Sequence, residues 1–155
     1  MQLHVNILDM NSIERTRTVK ATRERVWRAL TTAEEFSEWF RVKVDGPFEA
    51  GKRFDLVATL PGWEGFRFWF EIVEMTPPER FSYRWLPGAV VDDSDSTPTL
   101  VTFTLEEVAG GTKLTVLETG FEGVSLEKRA RAFQLNTDGW RDQMASLERY
   151  LGRDA

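Results

Sequence analysis

The 155-residue chain contains no cysteine. That absence removes disulfides, thiolate nucleophiles and cysteine-based metal sites together. Histidine is nearly absent as well, with a single copy at His4. A multi-histidine metal site is therefore excluded, and a histidine-dependent catalytic triad would have to use that residue. Neither a metal nor a cofactor is expected. No apolar run approaches the roughly 20 residues that a membrane span needs. The opening MQLHVNILDMNSIERTR lacks a basic leader, a long apolar core and a cleavage site, so a cytoplasmic location without a signal peptide is expected. Net charge is -5, with an isoelectric point near 5.0. That balance speaks against a broad phosphate-binding surface, and no nucleic-acid or membrane partner is expected. There is no internal repeat and no linker, and the length suits one domain with a sizeable core.

What the chain has in excess is aromatic side chains: six Trp, eleven Phe and two Tyr. Large rings either fill a core or line an apolar pocket, and the sequence leaves both open. Residues 1–11 read as an N-terminal arm or leader, and 12–152 as a single domain. Ile13, Arg15, Arg17 and Val19 alternate onto one face of an edge strand. Thr22 then suits the N-cap of a short helix carrying Val26, Trp27 and Leu30. Thr32 and Glu35 have the spacing of a capping box opening a second short helix with Phe36, Trp39 and Phe40.

Strands follow, separated by turn signals. Arg41–Asp45 ends at Gly46-Pro47, and Gly51–Leu60 ends at Pro61-Gly62. Gly65–Met75 places Phe66, Phe68, Phe70 and Ile72 on one face by period two. Phe81, Tyr83 and Trp85 share a face of the next strand. The acidic loop 89–98 leads to Val101, Phe103 and Leu105, and Gly110-Gly111 turns into Leu114 and Val116. An antiparallel meander is the simplest topology. Ser125 is placed to cap a last helix ending near Gly152, with Leu126, Ala130, Phe133, Thr137, Trp140, Met144, Leu147 and Leu151 forming one stripe. Such a helix is roughly 40 Å long and needs an equally long apolar partner.

This order of elements resembles the START-like, or helix-grip, superfamily (SRPBCC, Bet v-like). Within it the chain is similar to the branch homologous to the activator of the ninety-kilodalton heat-shock protein ATPase. Three stretches carry the resemblance: Val26–Phe40, with its helix pair ending in an aromatic cluster; Gly110–Phe121; and Asn136–Leu151, with its Gly139-Trp140 helix. The resemblance implies an α+β fold, a curved antiparallel sheet of about six to seven strands wrapped around a long C-terminal helix. It also implies a hollow between sheet and helix. The family contains lipid carriers, receptors, cyclases and co-chaperone domains, so the fold leaves function open. The eukaryotic co-chaperone, a stress-response protein, is matched in its C-terminal domain.

The expected function is non-enzymatic binding of an unidentified apolar or aromatic small molecule. Its expected lining is Trp39, Phe54, Phe68, Phe70, Tyr83, Trp85, Phe103, Phe133, Thr137, Trp140 and Met144. A chaperone-binding interaction domain is the second expectation, with a homodimer compatible with either. An aromatase/cyclase-like enzyme comes third, since it would need polar groups such as Arg53 or Arg84 inside the hollow. No catalytic residues are assigned: Glu71 faces outward, and Glu106 and Glu107, as strand neighbours, point apart. Asp92, Asp93 and Asp95 lack the glycine and distal glutamate of a calcium loop. Trp69 falls on the outer face, either exposed for a partner or covering aliphatic stems. Thr137 either meets a ligand or bonds back to its own helix.

Overall fold

A computed structural model describes residues 11–88 and 96–153. Residues 1–10 of the N-terminal arm and Asp92, Asp93 and Asp95 of the acidic loop lie outside the described residues. In chain order the elements are β1 (Ser12–Val19), α1 (Arg23–Thr31), α2 (Ala33–Phe40), β2 (Val42–Lys43), β3 (Arg53–Ala58), β4 (Arg67–Thr76), β5 (Arg80–Trp85), β6 (Thr99–Val108), β7 (Gly111–Thr119) and α3 (Leu126–Gly152). The strands form one seven-stranded sheet in the order β1-β7-β6-β5-β4-β3-β2, antiparallel throughout. The expected helix-grip architecture is present, with α3 laid along the concave face.

The inner face follows from period two. Ile13 and Val19 of β1, Phe70 and Ile72 of β4, Phe81 and Tyr83 of β5, Val101 and Phe103 of β6, and Leu114 and Val116 of β7 are all buried. Arg15 and Arg17 share β1's inner face at the sheet edge. Instead of entering the core they reach α3, where Arg15 donates to the Thr137 carbonyl and Arg17 pairs with Glu148 at 2.6 Å. In β4 a bulge between Ile72 and Glu74 resets the register, so that Met75 faces Phe81.

Several local expectations need correction. The Thr22 cap forms, its hydroxyl accepting from the Arg25 amide at 3.1 Å. The Thr32–Glu35 capping box does not. Thr32 also closes α1, its amide bonding the Arg28 carbonyl, and the helices are joined by that single residue. Glu35 is drawn to charged partners instead: Arg25 at 2.7 Å, Arg28 at 3.0 Å and the Tyr150 hydroxyl at 2.7 Å. Ser125 precedes α3 without a side-chain cap bond. Only two residues of the 41–45 segment form ladder bonds. The stripe of α3 also starts later than its spacing suggests. Leu126 is 80% exposed and Ala130 is exposed, while Ala132 is buried. The first turn of α3 faces solvent, and the first buried residue of the helix is Ala132. From Trp140 the stripe holds, with Met144, Leu147 and Leu151 all buried.

On the outer face Trp69 carries the Arg53 guanidinium 4.2 Å above its ring, so it covers a cationic stem rather than standing free. Arg53 and Arg84 are both exposed and lie outside the hollow. Among the described residues no helix is long and apolar enough to cross a membrane.

Candidate functional site

α3 presents two adjacent faces to the rest of the molecule. One, through Trp140, Met144, Leu147 and Leu151, is packed solid. The other, through Asn136, Gly139, Gln143 and Ser146, borders a cavity of about 570 Å³. That spacing of three and four residues is one continuous helical stripe. Opposite it stand rings from the sheet and its connections: Phe40 at the end of α2, Trp63 and Phe66 from the β3–β4 connection, Phe68 of β4 and Trp85 of β5. Leu60, Ala58 and Val42 complete the apolar side. Among the described residues a Cβ at Gly139 would meet nothing within 4 Å. Gly139 therefore relieves no crowding, and the open space above it belongs to the cavity.

The aromatic residues expected to line a hollow separate into two groups. Phe68 and Trp85 are on the cavity wall. Trp39, Phe70, Tyr83, Phe103, Trp140 and Met144 are core residues, while Phe54 and Phe133 are half-buried and packed against that core. The reason is volume. Tyr83 lies 4.7 Å from Phe70 and 5.2 Å from Trp85, and Trp140 is 5.6 Å from Trp85 and 5.7 Å from Phe103. Rings this large leave no gap directly under the helix, so the void falls beside it. Thr137 donates to the Phe133 carbonyl at 2.7 Å, the local back-bond, and takes no part in the wall.

Beneath the wall is a group that the reading of the residues missed. Glu118 of β7 is 0% exposed. Alternation from Leu114 and Val116 points it inward, in one row with Val101 and Tyr83 across β6 and β5. Its Oε1 accepts from Trp140 Nε1 at 2.8 Å and Asn136 Nδ2 at 2.9 Å. Its Oε2 accepts from Trp85 Nε1 at 2.8 Å and Thr99 Oγ1 at 2.5 Å. All these donors are neutral. Asn136 in turn accepts from the Gly88 amide at 2.9 Å, so it fastens the end of β5 to α3. The two indoles could have signalled this site, because a buried Trp N–H needs an acceptor and the inner face offers few. Tyr83 Oη is buried and has no hydrogen-bond partner among the described residues. Burial, and next the charge of Glu118, push its pKa well above the usual value.

Burial raises the Glu118 pKa above 4.5, outweighing the hydrogen bonds from Thr99, Trp85, Trp140 and Asn136 that favour the anion. A folded-state value above the unfolded one means that the folded protein takes up the proton first. The contribution of Glu118 to stability is thus full below about pH 4.5 and is lost as pH rises through the folded pKa. Glu35 behaves oppositely. Partial burial pushes it up, but the bonds from Tyr150 and Arg25 and the charges of Arg25 and Arg28 together hold it below 4.5. Its contribution is present above pH 4.5 and falls away only at lower pH. Urea unfolding of wild type and Glu118→Gln between pH 4.5 and 7 should therefore give a difference in stability that shrinks toward pH 7. A difference independent of pH would show that Glu118 keeps one protonation state throughout.

Among the described residues no group of three or more His, Cys, Asp and Glu is placed to hold a metal ion. The described site thus consists of an aromatic cavity with a buried carboxylate network behind it.

Residues 20–152 match the family model described as activator of Hsp90 ATPase homolog 1-like protein. The chain belongs to this family. Protein MLL2253 from Mesorhizobium loti is 29% identical, with a TM-score of 0.77 over 93% of this chain and 98% of that one. The Aha1 dimer from Colwellia psychrerythraea is 18% identical, with a TM-score of 0.69 over 90% and 95%. DynU16, from the dynemicin biosynthetic locus, is 23% identical, with a TM-score of 0.67 over 92% of this chain and 47% of that one. The last two likenesses are of fold. No curated protein matches the chain.

Proposed function

We propose that this activator-homologue domain binds an apolar or aromatic small molecule in the cavity between the sheet and α3, without transforming it. The observation that carries the reading is the wall itself. A half-open pocket of about 570 Å³ lies between five aromatic rings and a glycine-opened stripe of helix. That volume lies within the range of roughly 300–1,000 Å³ typical of small-molecule sites. Glu118 behind the wall is covered by Trp85 and Asn136, which are already bonded to it, and the wall carboxylates Asp138 and Asp142 are paired with Arg141, so none of the three favours a general base.

Gly139 gives a clean test. Leucine there suits a helix better than glycine, by up to about 1 kcal/mol, and its side chain would extend into the cavity. Gly139→Leu should therefore fold at least as well as wild type while losing ligand. A thermal-shift screen against apolar and aromatic metabolites should give saturable hits with wild type, worth about 2.7 kcal/mol at a hundredfold excess over Kd. The same hits should vanish with Gly139→Leu. Hits that persist in the variant would remove the cavity as the binding site.

A second reading, a chaperone-binding interaction domain, is favoured by the family match itself. It is tested by the ATPase rate of a purified cognate chaperone with and without this protein, and an unchanged rate would end it. The Colwellia protein's dimeric state makes a homodimer a reasonable form for this chain under either reading.

A further inference from the structure

The polar groups of the cavity wall are nearly all committed elsewhere. Asn136 is used by Glu118 and Gly88. Gln143 donates to the Phe40 carbonyl at 2.8 Å, and Ser146 to the Trp39 carbonyl at 2.6 Å. Asp138 and Asp142 both face Arg141, at 3.6 and 3.4 Å, and Asp138 also accepts from Gln134. Two charged side chains on the wall remain, Arg41 and Arg149. Among the described residues neither has a hydrogen-bond or ion-pair partner.

Their placement is constrained. The bonds from Gln143 and Ser146 clamp the end of α2 onto α3, so Arg41 is held beside the stretch of α3 that leads to Arg149. Arg41 itself is half-buried and left-handed, with φ 63° and ψ 58°. It is the one non-glycine residue with positive φ among those described. Glycine or asparagine is the ordinary occupant where a helix ends this way, and an arginine there accepts strain in exchange for its side chain. Its carbonyl receives the Thr59 amide at 2.9 Å, which fixes the backbone against the strand edge. Arg149 is exposed, whereas Trp85 is nearly buried, so the cationic end is the solvent side.

From this we infer that the ligand is an amphipathic anion, an apolar or aromatic body ending in a carboxylate or similar acid. The body lies against Trp85, Phe68 and Phe40, and the acid meets Arg41 and Arg149. The network of Glu118 reinforces that orientation, because the Trp85 and Asn136 donors are already spent on it and only the arginine end has donors left for an acid. The inference rests on the cavity reading above and adds the ligand's charge and direction to it.

The test uses three probes sharing one ring system: 2-naphthoate, its methyl ester, and 2-naphthylmethylamine as a cation. Binding is followed by tryptophan fluorescence. Naphthoate should bind at least about tenfold tighter than the ester, the scale of one charge-assisted hydrogen bond. Arg41→Asn, which keeps a residue suited to the left-handed turn, and Arg149→Gln should each bring naphthoate down toward the ester while leaving the ester unchanged. Arg41→Lys should retain part of the preference. Equal binding of all three probes, or preference for the amine, overturns the inference and leaves the cavity reading intact. Absence of binding by every probe, with wild type and Gly139→Leu indistinguishable, overturns both.

Discussion

Glu118→Leu should lower the stability of the folded protein by about 4 kcal/mol, near the top of the range for a single substitution. Two effects oppose each other. Removing a buried carboxylate relieves its desolvation, and buried charges replaced by apolar side chains are sometimes neutral or stabilising. That relief requires the partners to be replaced too, and here they stay. The indole N–H groups of Trp85 and Trp140, the Thr99 hydroxyl and the Asn136 amide all point at the vacated place. Thr99 can turn to the Trp85 carbonyl, 3.4 Å away. The two indoles are locked by stacking on one another and have no such choice. Each orphaned buried donor costs about 1–3 kcal/mol, so the loss outweighs the relief. Glu118→Gln should cost about 2 kcal/mol, since its amide must put a donor where one of the two oxygens accepted. Urea unfolding measures both values. In a nitrogen–proton correlation spectrum the indole signals of Trp85 and Trp140 should be the tryptophan peaks that move in Glu118→Gln. Wild-type stability in Glu118→Leu would mean that the network tolerates the carboxylate rather than depending on it.

Much of the scaffold is legible in the residues because its signals are periodic and local. The alternation of Ile13 to Val19, the run Phe66 to Ile72 and the glycine turn at 110–111 each specify a face or a reversal without knowledge of anything distant. The family resemblance then orders these pieces. Glu118 escaped for the opposite reason. The same alternation that points Leu114 and Val116 inward continues to it, but a carboxylate on an inner face reads as an exception until its donors are known. Those donors come from residues 85, 99, 136 and 140, and only the sheet register and the position of α3 bring them together.

Little of the pocket was legible, since of the expected lining only Phe68 and Trp85 border it, and the reason concerns how rings share space. Apolar spacing on α3 picks out the stripe through Trp140 and Met144, which is the stripe that packs. A cavity needs the neighbouring stripe, where Asn136, Gly139, Gln143 and Ser146 look unremarkable by hydropathy. Gly139 was the usable signal, because a mid-helix glycine has a cost of about 1 kcal/mol and wants a reason. The capping box failed for a related cause: Thr32 and Glu35 have the right spacing, yet Arg25, Arg28 and Tyr150 offer Glu35 stronger partners. In both places a local rule was overruled by a neighbour distant in sequence.

Phe36→Ala should cost a similar amount, about 4 kcal/mol, by a different mechanism. Phe36 is fully buried, and its ring touches those of Trp39, Phe40, Phe48 and Phe70 at centroid distances of 5.1, 4.7, 5.7 and 5.7 Å. Returning its surface to water accounts for about 2–3 kcal/mol. The remainder depends on whether the neighbours can close the gap. Here they are restrained. Trp39 is tied through its indole to the Ala29 carbonyl at 2.8 Å, and the carbonyls of Trp39 and Phe40 are held by Ser146 and Gln143. Collapse into the hole would break those bonds, so most of the void should persist. The clamps also join stability to binding. Phe36 does not line the cavity, but Phe40, which closes the same short helix, and Arg41, which caps it, both do. Phe36→Ala should therefore weaken binding of an acidic probe severalfold under conditions where the variant is still folded, whereas Phe36→Leu, which keeps most of the volume, should cost about 1.5 kcal/mol and leave binding nearly intact. Urea unfolding and probe titration on the same samples separate these effects. Wild-type affinity in a strongly destabilised Phe36→Ala would show that the Gln143 and Ser146 clamps hold the end of α2 without help from the ring beneath it.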